Sequence, residues 1–180
     1  MSMTPPPPPP PAPAPNYGMS LANRASFGSR FLGQLIDGLL YGALNALFIV
    51  VGVAFIITAS GDCIDKIDAD ANATCTNTDV NGPLLLLGIA IIAAGVLLVL
   101  GLYIRALGRT GQTWGRKIAK VKVVDQNTMQ PLGFGRALGR TLFAYFISSS
   151  ICYLGYLWML WDGQKQTWHD KVVGSTVINA

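Results

Sequence analysis

Two long segments without a charged residue constrain the fold of this chain more than any other feature. One runs from Leu39 to Ala59 and the other from Pro83 to Ile104. Each has about 20 residues, which at roughly 1.5 Å per residue crosses a hydrocarbon core of roughly 30 Å. Both are therefore predicted to be transmembrane helices, with spans near residues 31–59 and 83–104.

A third apolar segment, residues 141–161, is also long enough to span, but it contains three consecutive serines and Gly155. It is predicted either to cross once or to form a broken or re-entrant helix. Charged residues make up 12% of the chain, about half of the share usual in soluble domains. The predicted fold is thus an all-α integral membrane protein with about three transmembrane helices, and a soluble globular domain is excluded.

The charges are separated into blocks. Residues 60–82 hold five aspartates and one lysine, whereas residues 105–140 hold eight lysines and arginines and one aspartate. Because Lys and Arg collect on the cytoplasmic side, the basic segment is predicted to be cytoplasmic and the acidic loop external. The N-terminus, with Arg24 and Arg30, is then cytoplasmic too, and the protein is multi-pass.

Residues 1–22 form a proline-rich tail, with an unbroken proline run from Pro5 to Pro11. Proline lacks an amide donor, so a disordered tail preceding a membrane domain of residues 23–180 is predicted, with a proline-reading domain as its candidate partner. Cys63 and Cys75 both lie in the acidic loop. They are either a disulfide, which an external loop would preserve, or two free thiols.

Polar residues recur on one side of the first helix. Their spacing of three and four residues places them in a stripe about 80° wide; they are Arg30, Gln34, Asp37, Tyr41 and Asn45. Such a stripe should face other helices or water, because facing hydrocarbon would cost several kcal/mol. Asp37 either finds a basic partner from the cytoplasmic segment and holds the bundle together, or it is a titratable site on an ion path. Gly38 and Gly42 form a G-x-x-x-G pair that lets a helix approach, from within the chain or from a second copy.

The basic segment is more than a linker. Residues 111–120 predict a short amphipathic helix with Trp114, Ile118 and the following Val121 on one side, suited to anionic lipid head groups. Residues 121–124 and 176–178 are predicted to be short strands. If these strands pair, the third apolar segment must enter and leave by the same face.

No catalytic arrangement is present in the sequence. One histidine, His169, cannot supply a zinc cluster, and no nucleotide-binding glycine loop follows a strand. We expect no enzymatic activity, no cofactor and no metal. The basic block lies beside a membrane, so anionic lipid is its expected partner and nucleic acid is not.

Several stretches together resemble one family. They are residues 26–37 (SFGSRFLGQLID), 111–117 (GQTWGRK), 121–124 (VKVV), Arg136, Arg140, and residues 166–177 (QTWHDKVVGSTV). Their order and content are similar to those of the RDD family of bacterial membrane proteins. The resemblance implies that the arginine and two aspartates of the family name are Arg30, Asp37 and Asp170. The proline-rich leader resembles those of actinobacterial members, which implies a bacterial plasma membrane.

Two functions are expected from this resemblance and from the polar stripe. In the first, the protein moves a small ion or solute as a homo-oligomer, because three short spans are too few to enclose a pore. Asp37 and Asp170 would then bind the cation or proton. In the second, the protein is a non-transporting scaffold or accessory subunit that docks cytoplasmic partners or anionic lipid.

Overall fold

A computed structural model describes residues 23–60, 80–151 and 153–180 of the chain. The predicted disordered tail, residues 1–22, lies outside the described residues. The same holds for Cys63 and Cys75, so their pairing stays a prediction. The described part is mostly helical, with one small two-stranded sheet.

Two long helices form a hairpin. Helix α1 spans Phe27–Ala59 and helix α2 spans Gly82–Thr110. Helix α1 begins where the Ser26 hydroxyl accepts a hydrogen bond from the Ser29 amide at 3.3 Å. Both are long and apolar enough to cross a membrane. Their apolar side chains are largely exposed, Leu39 and Leu97 among them, which is typical of helices that face lipid rather than a soluble core.

Glycines set the spacing between these two helices. A Cβ added at Gly88 would lie 2.6 Å from the Gly52 carbonyl oxygen and 2.8 Å from Ile56. At Gly95 an added Cβ would overlap the Phe48 side chain. By contrast, Gly38 and Gly42 have no atom within 4 Å of such a Cβ. The predicted G-x-x-x-G pair therefore contacts no other described part of this chain, and the helix contact lies further along α1.

The predicted strands are present and paired at one end of the hairpin. Helix α3 (Trp114–Ile118) leads into strand β1 (Val121–Asp125), which pairs antiparallel with strand β2 (Ser175–Asn179). The register places Val123 opposite Val177. The Ala25 amide, just before α1, donates to the Val177 carbonyl at 3.0 Å. The start of α1, the end of α2 and both strands thus meet at one end.

The predicted amphipathic face is wrong in one residue. Trp114 and Ile118 are largely exposed, as expected, but Val121 is 1% exposed. The reason is that the helix stops at Ile118 and the chain turns through Lys120, with a φ of 54°, into β1. Val121 therefore belongs to the compact core, together with Leu107, Val123, Ala137 and Val177.

The third apolar segment is not one continuous helix. Helix α4 (Phe134–Phe143) widens into a π-helical turn over Ala144–Ser148, and helix α5 (Leu154–Leu157) continues into a 3₁₀ turn over Trp158–Leu160. At Gly155 the chain folds back so closely that an added Cβ would lie 2.6 Å from Ser148. Helix α6 (Trp168–Val173) then leads into β2. Both ends of the segment are thereby held at the same end of the hairpin.

The close contact at Gly88 predicts a difference between two alanine substitutions in one helix. Gly88→Ala should destabilise the hairpin by about 1–3 kcal/mol, because the new methyl group meets the α1 backbone. Gly101→Ala is the matched control, since nothing lies within 4 Å of its added Cβ. Thermal unfolding in detergent, followed by loss of the monodisperse size-exclusion peak, measures both. Equal midpoints for the two variants would contradict this helix contact.

Candidate functional site

Asp37 is the centre of the first polar cluster. It lies on the third turn of α1 and is 4% exposed. Its carboxylate accepts a hydrogen bond from the Thr113 hydroxyl and another, of 2.8 Å, from the Gly115 amide. Both donors belong to the start of α3. The predicted basic partner is Arg116, whose Nη1 lies 3.7 Å from Asp37 Oδ2.

Arg116 joins this cluster to α2. Its guanidinium donates to the Tyr103 hydroxyl at 2.9 Å and to the Gln34 side-chain oxygen at 3.4 Å. The Arg116 side chain is 6% exposed, so its charge is removed from water and needs these partners. Arg116 therefore connects α1, α2 and α3 through one side chain.

A glycine makes this approach of α3 to α1 possible. A Cβ at Gly115 would lie 2.5 Å from the Asp37 amide nitrogen and 2.9 Å from Asp37 Oδ1. Gly33 is packed similarly, with Ala119 at 3.3 Å from its added Cβ. Because neither glycine has a side chain, the Gly115 amide can reach the carboxylate directly.

The other residues of the polar stripe lie on the same side of α1 as Asp37. Tyr41 packs edge-on against Tyr103 with ring centroids 5.3 Å apart, and it stacks on Trp114 at 6.0 Å. The buried side-chain oxygen of Asn45 has no hydrogen-bond partner among the described residues. Asp37, Tyr41 and Asn45 are buried or half-buried on the inner side of α1, and Gln34, although exposed, contacts Arg116 on that side. Leu32, Leu35 and Leu39 are exposed on the other side.

Asp170 is the centre of the second cluster and is fully buried. Its Oδ1 accepts from Arg140 Nε at 2.9 Å and from the Ser175 hydroxyl at 2.8 Å. Its Oδ2 accepts from the Thr167 hydroxyl at 2.8 Å, which forms a capping box at the start of α6. Arg30 Nη1 approaches Oδ2 at 3.4 Å. Asp170 is therefore bound to α1, α4 and β2 as well as to its own helix.

Arg30 connects the start of α1 to the sheet. Its Nε donates to the Ala25 carbonyl and its Nη2 to the Val177 carbonyl, each at 3.2 Å. Arg30 thus forms an ion pair with Asp170, whereas the partner of Asp37 is Arg116. The three residues implied by the family resemblance lie in two neighbouring clusters rather than in one.

Two pKa values in the second cluster are shifted. Burial alone would raise the pKa of Asp170, but the charges of Arg140 and Arg30 outweigh it and hold this pKa well below its usual range. Burial, reinforced by the charge of Arg140, lowers the pKa of the neighbouring His169 from 6.5 to about 3. The carboxylate is therefore ionised and the imidazole neutral at physiological pH.

The sequence identifies two arginines, Arg116 and Arg140, only as members of the basic segment or of the family resemblance. It does not identify them as partners of the aspartates. Arg116 and Arg140 are the main partners of Asp37 and Asp170, and they are almost fully buried. Their spacing from the aspartates carries no periodic signal. The one available signal was the need of a buried carboxylate for a cation.

A cavity of about 280 Å³ lies beside both clusters. Arg30, Arg116, Arg140 and Asp170 line it, together with apolar and aromatic side chains of α1 and α5. Within residues 23–60, 80–151 and 153–180, no three His, Cys, Asp or Glu side chains come together as a metal site would require.

The comparisons with known proteins agree with this arrangement of motifs. The model of the RDD family matches residues 24–174. The "Proline-rich antigen homolog" of Mycobacterium tuberculosis strain H37Rv is 41% identical over 71 residues, which is 39% of this chain and 29% of the relative. The "Proline-rich antigen" of Mycobacterium leprae strain TN is 39% identical over 71 residues, 39% of this chain and 28% of the relative. The matched stretch covers less than a third of these curated relatives, and no solved structure matches.

The Asp37–Arg116 pair predicts a non-additive result. Asp37→Asn or Arg116→Gln alone should each destabilise the folded protein by about 3–5 kcal/mol, because each leaves one buried charge without its partner. The double variant should be less destabilised than the sum of the two, since no charge is then left alone. Unfolding midpoints in detergent test this cycle, and strict additivity would show that the two side chains do not interact.

The neutral state of His169 predicts a pH dependence of stability. Below about pH 6.5 the unfolded chain takes up a proton on His169, whereas the folded protein does not until about pH 3. Stability should therefore fall as the pH is lowered from 7 to 4.5, by at most about 1.4 kcal/mol per pH unit. His169 is the single histidine of the chain, so His169→Asn should flatten the curve of unfolding midpoint against pH. An unchanged slope in that variant would assign the titration to another group.

Proposed function

The chain belongs to the RDD family, and from this premise we propose that it is a multi-pass, non-enzymatic scaffold or accessory subunit rather than an ion transporter. The family and the two long apolar helices make it a membrane protein. The observation that carries the proposal is that both family aspartates are already bound by protein groups. Asp37 has Thr113, Gly115 and Arg116, and the contacts of Asp170 include Arg140 and Arg30.

A cation-binding carboxylate has to offer oxygen atoms to the ion. Asp170 accepts hydrogen bonds at both oxygens and is 0% exposed, so a cation would have to displace at least one arginine and one hydroxyl. Breaking a buried ion pair leaves an uncompensated charge and costs several kcal/mol. The geometry therefore favours a structural role for both aspartates.

We propose a topology in which the paired strands lie on the cytoplasmic side of a bacterial plasma membrane. The sheet joins residues from both ends of the third apolar segment, and Arg24 bridges to Ile178 beside it. A segment that starts and ends at one end of the hairpin supports a re-entrant path instead of a third crossing. The excess of Lys and Arg between α2 and α4 supports the cytoplasmic side.

The surface around α3 is suited to bind anionic lipid head groups on the cytoplasmic side. Trp114 is 60% exposed and Ile118 is 62% exposed, and Lys117 beside them is exposed as well. Aromatic and aliphatic side chains among lysines fit the layer of anionic head groups. The proline-rich tail would supply a second contact for a cytoplasmic partner.

Transport by an oligomer is the second candidate, favoured by the cavity beside Arg30 and Asp170. The two functions separate in proteoliposomes of the purified full chain. We expect no sodium-, potassium- or lithium-coupled proton flux above that of protein-free vesicles. Asp37→Asn and Asp170→Asn should instead lower the yield of folded protein, because each leaves a buried arginine without its carboxylate.

The informative control is a variant with an intact fold. Gly101→Ala adds a methyl group in open space on α2 and should match the wild type in both yield and flux. Cation-coupled flux in the wild type that vanishes in a monodisperse Asp170→Asn protein would overturn the scaffold proposal. It would place the transport site at Asp170.

A further inference from the structure

The cavity beside the two clusters has an unusual balance of charge. Three arginines line it, namely Arg30, Arg116 and Arg140. The carboxylates that neutralise them are Asp37 and Asp170. The described part of the site therefore carries one more positive than negative charge, at positions that are almost fully buried.

One of these arginines has an unused donor group. Arg140 directs both Nε and Nη2 at the same oxygen, Asp170 Oδ1, each at 2.9 Å. Nη1 makes no hydrogen bond to a described residue, and it is not among the fully buried polar atoms that lack a partner. It therefore stays accessible beside the cavity that Arg140 lines. A buried guanidinium group with a free donor beside a cavity is suited to bind a phosphate or carboxylate oxygen.

Most of the remaining lining is apolar or aromatic and reaches the outer surface, and its polar members are Gln34, Thr167 and His169. Phe31 of α1 and Tyr153 before α5 line the cavity, and they are 58% and 63% exposed. Leu157 and Met159 contribute further apolar surface. Apolar side chains contribute nothing to the binding of an inorganic anion, whereas the hydrocarbon chain of an amphiphile would pack against them.

The volume limits how much of a ligand can enter. The cavity volume of about 280 Å³ lies just below the range of ligand pockets, which begins near roughly 300 Å³. That is too small for a whole phospholipid but enough for one charged head group and the start of its chain. The remainder would lie along the exposed side of α1, where Leu32 and Leu35 face outward.

We propose that this cavity binds the phosphate group of an anionic phospholipid from the surrounding bilayer, with Arg140 as the principal donor. The acyl chain leaves between Phe31 and Tyr153. The inference rests on the proposal that this end of the hairpin lies at the cytoplasmic head-group layer. It does not depend on whether the protein transports ions.

The test uses the purified full chain with dioleoyl phosphatidylglycerol, and with zwitterionic dioleoyl phosphatidylcholine for comparison. Native mass spectrometry measures the retained lipid, and thermal unfolding measures stabilisation. Both lipids offer a phosphate to Arg140, but the choline cation of phosphatidylcholine would be repelled by the surplus arginine charge. We therefore expect phosphatidylglycerol to be retained about tenfold better. Equal retention of the two lipids would overturn the proposal. So would the same stabilisation by inorganic phosphate alone, which would make this a site for a free anion.

Variants of the wall locate the lipid. Leu157→Trp should fill the cavity and reduce phosphatidylglycerol retention about tenfold. Leu154→Trp adds the same bulk on the same helix outside the cavity lining and should have no effect. Unchanged retention in Leu157→Trp would place the lipid elsewhere.

A second pair of variants keeps the test valid if the tryptophan disturbs folding. Tyr153→Glu places a negative charge at the exposed rim, and Tyr153→Gln is its neutral match. Both variants remove the same ring from the cavity lining, so the glutamate is compared with the glutamine. Relative to the glutamine, the glutamate should weaken retention of phosphatidylglycerol and leave that of phosphatidylcholine unchanged. Equal behaviour of the two variants would show that the bound group is not anionic. Ion flux is measured separately, so its presence would overturn the scaffold proposal without affecting this one.

Discussion

Burial of the Asp170 charge organises the end of the helical hairpin that carries the sheet. An ionised carboxylate removed from water is tolerated only when cations and hydrogen-bond donors surround it. Arg140 precedes the third apolar segment and Thr167 follows it, and both bind this one side chain. The segment between them is thereby closed into a loop. Arg30 and Ser175 add α1 and β2 to the same carboxylate, so four parts of the chain depend on one buried charge.

The main outline of the fold was predictable because its causes are local. Apolar length predicts α1 and α2, and a period of 3.6 residues predicts the inner stripe that contains Asp37. The need for a basic partner was also predictable, but its identity was not. The basic segment offers eight cations, and the choice of Arg116 depends on the approach of Gly115 to α1. That approach arises from tertiary packing, which no spacing in the sequence encodes.

The contact between α1 and α2 also follows from the helical period of 3.6 residues. At about 100° per residue, Phe48 and Gly52 lie about 20° and 60° from Asp37, within the polar stripe. Gly38 and Gly42 lie about 100° and 140° away, outside it. The face that contacts α2 is therefore the continuation of the polar stripe, and Gly52 rather than the G-x-x-x-G pair meets Gly88. Spacing between two glycines identifies a shared face, but the buried polar residues decide which face turns inward.

The number of arginines connects the structural and ligand-binding proposals. One cation for each aspartate would satisfy the carboxylates, yet three arginines serve two. A surplus buried charge costs free energy unless an anion compensates it. An anionic lipid would supply that anion and stabilise the folded state in proportion to its occupancy. A site built only to bind cations would carry the opposite excess, because each arginine repels the ion that the carboxylates attract. The charge balance thus argues that Arg30, Arg116 and Arg140 hold the two aspartates in place and make the cavity favour anions over cations.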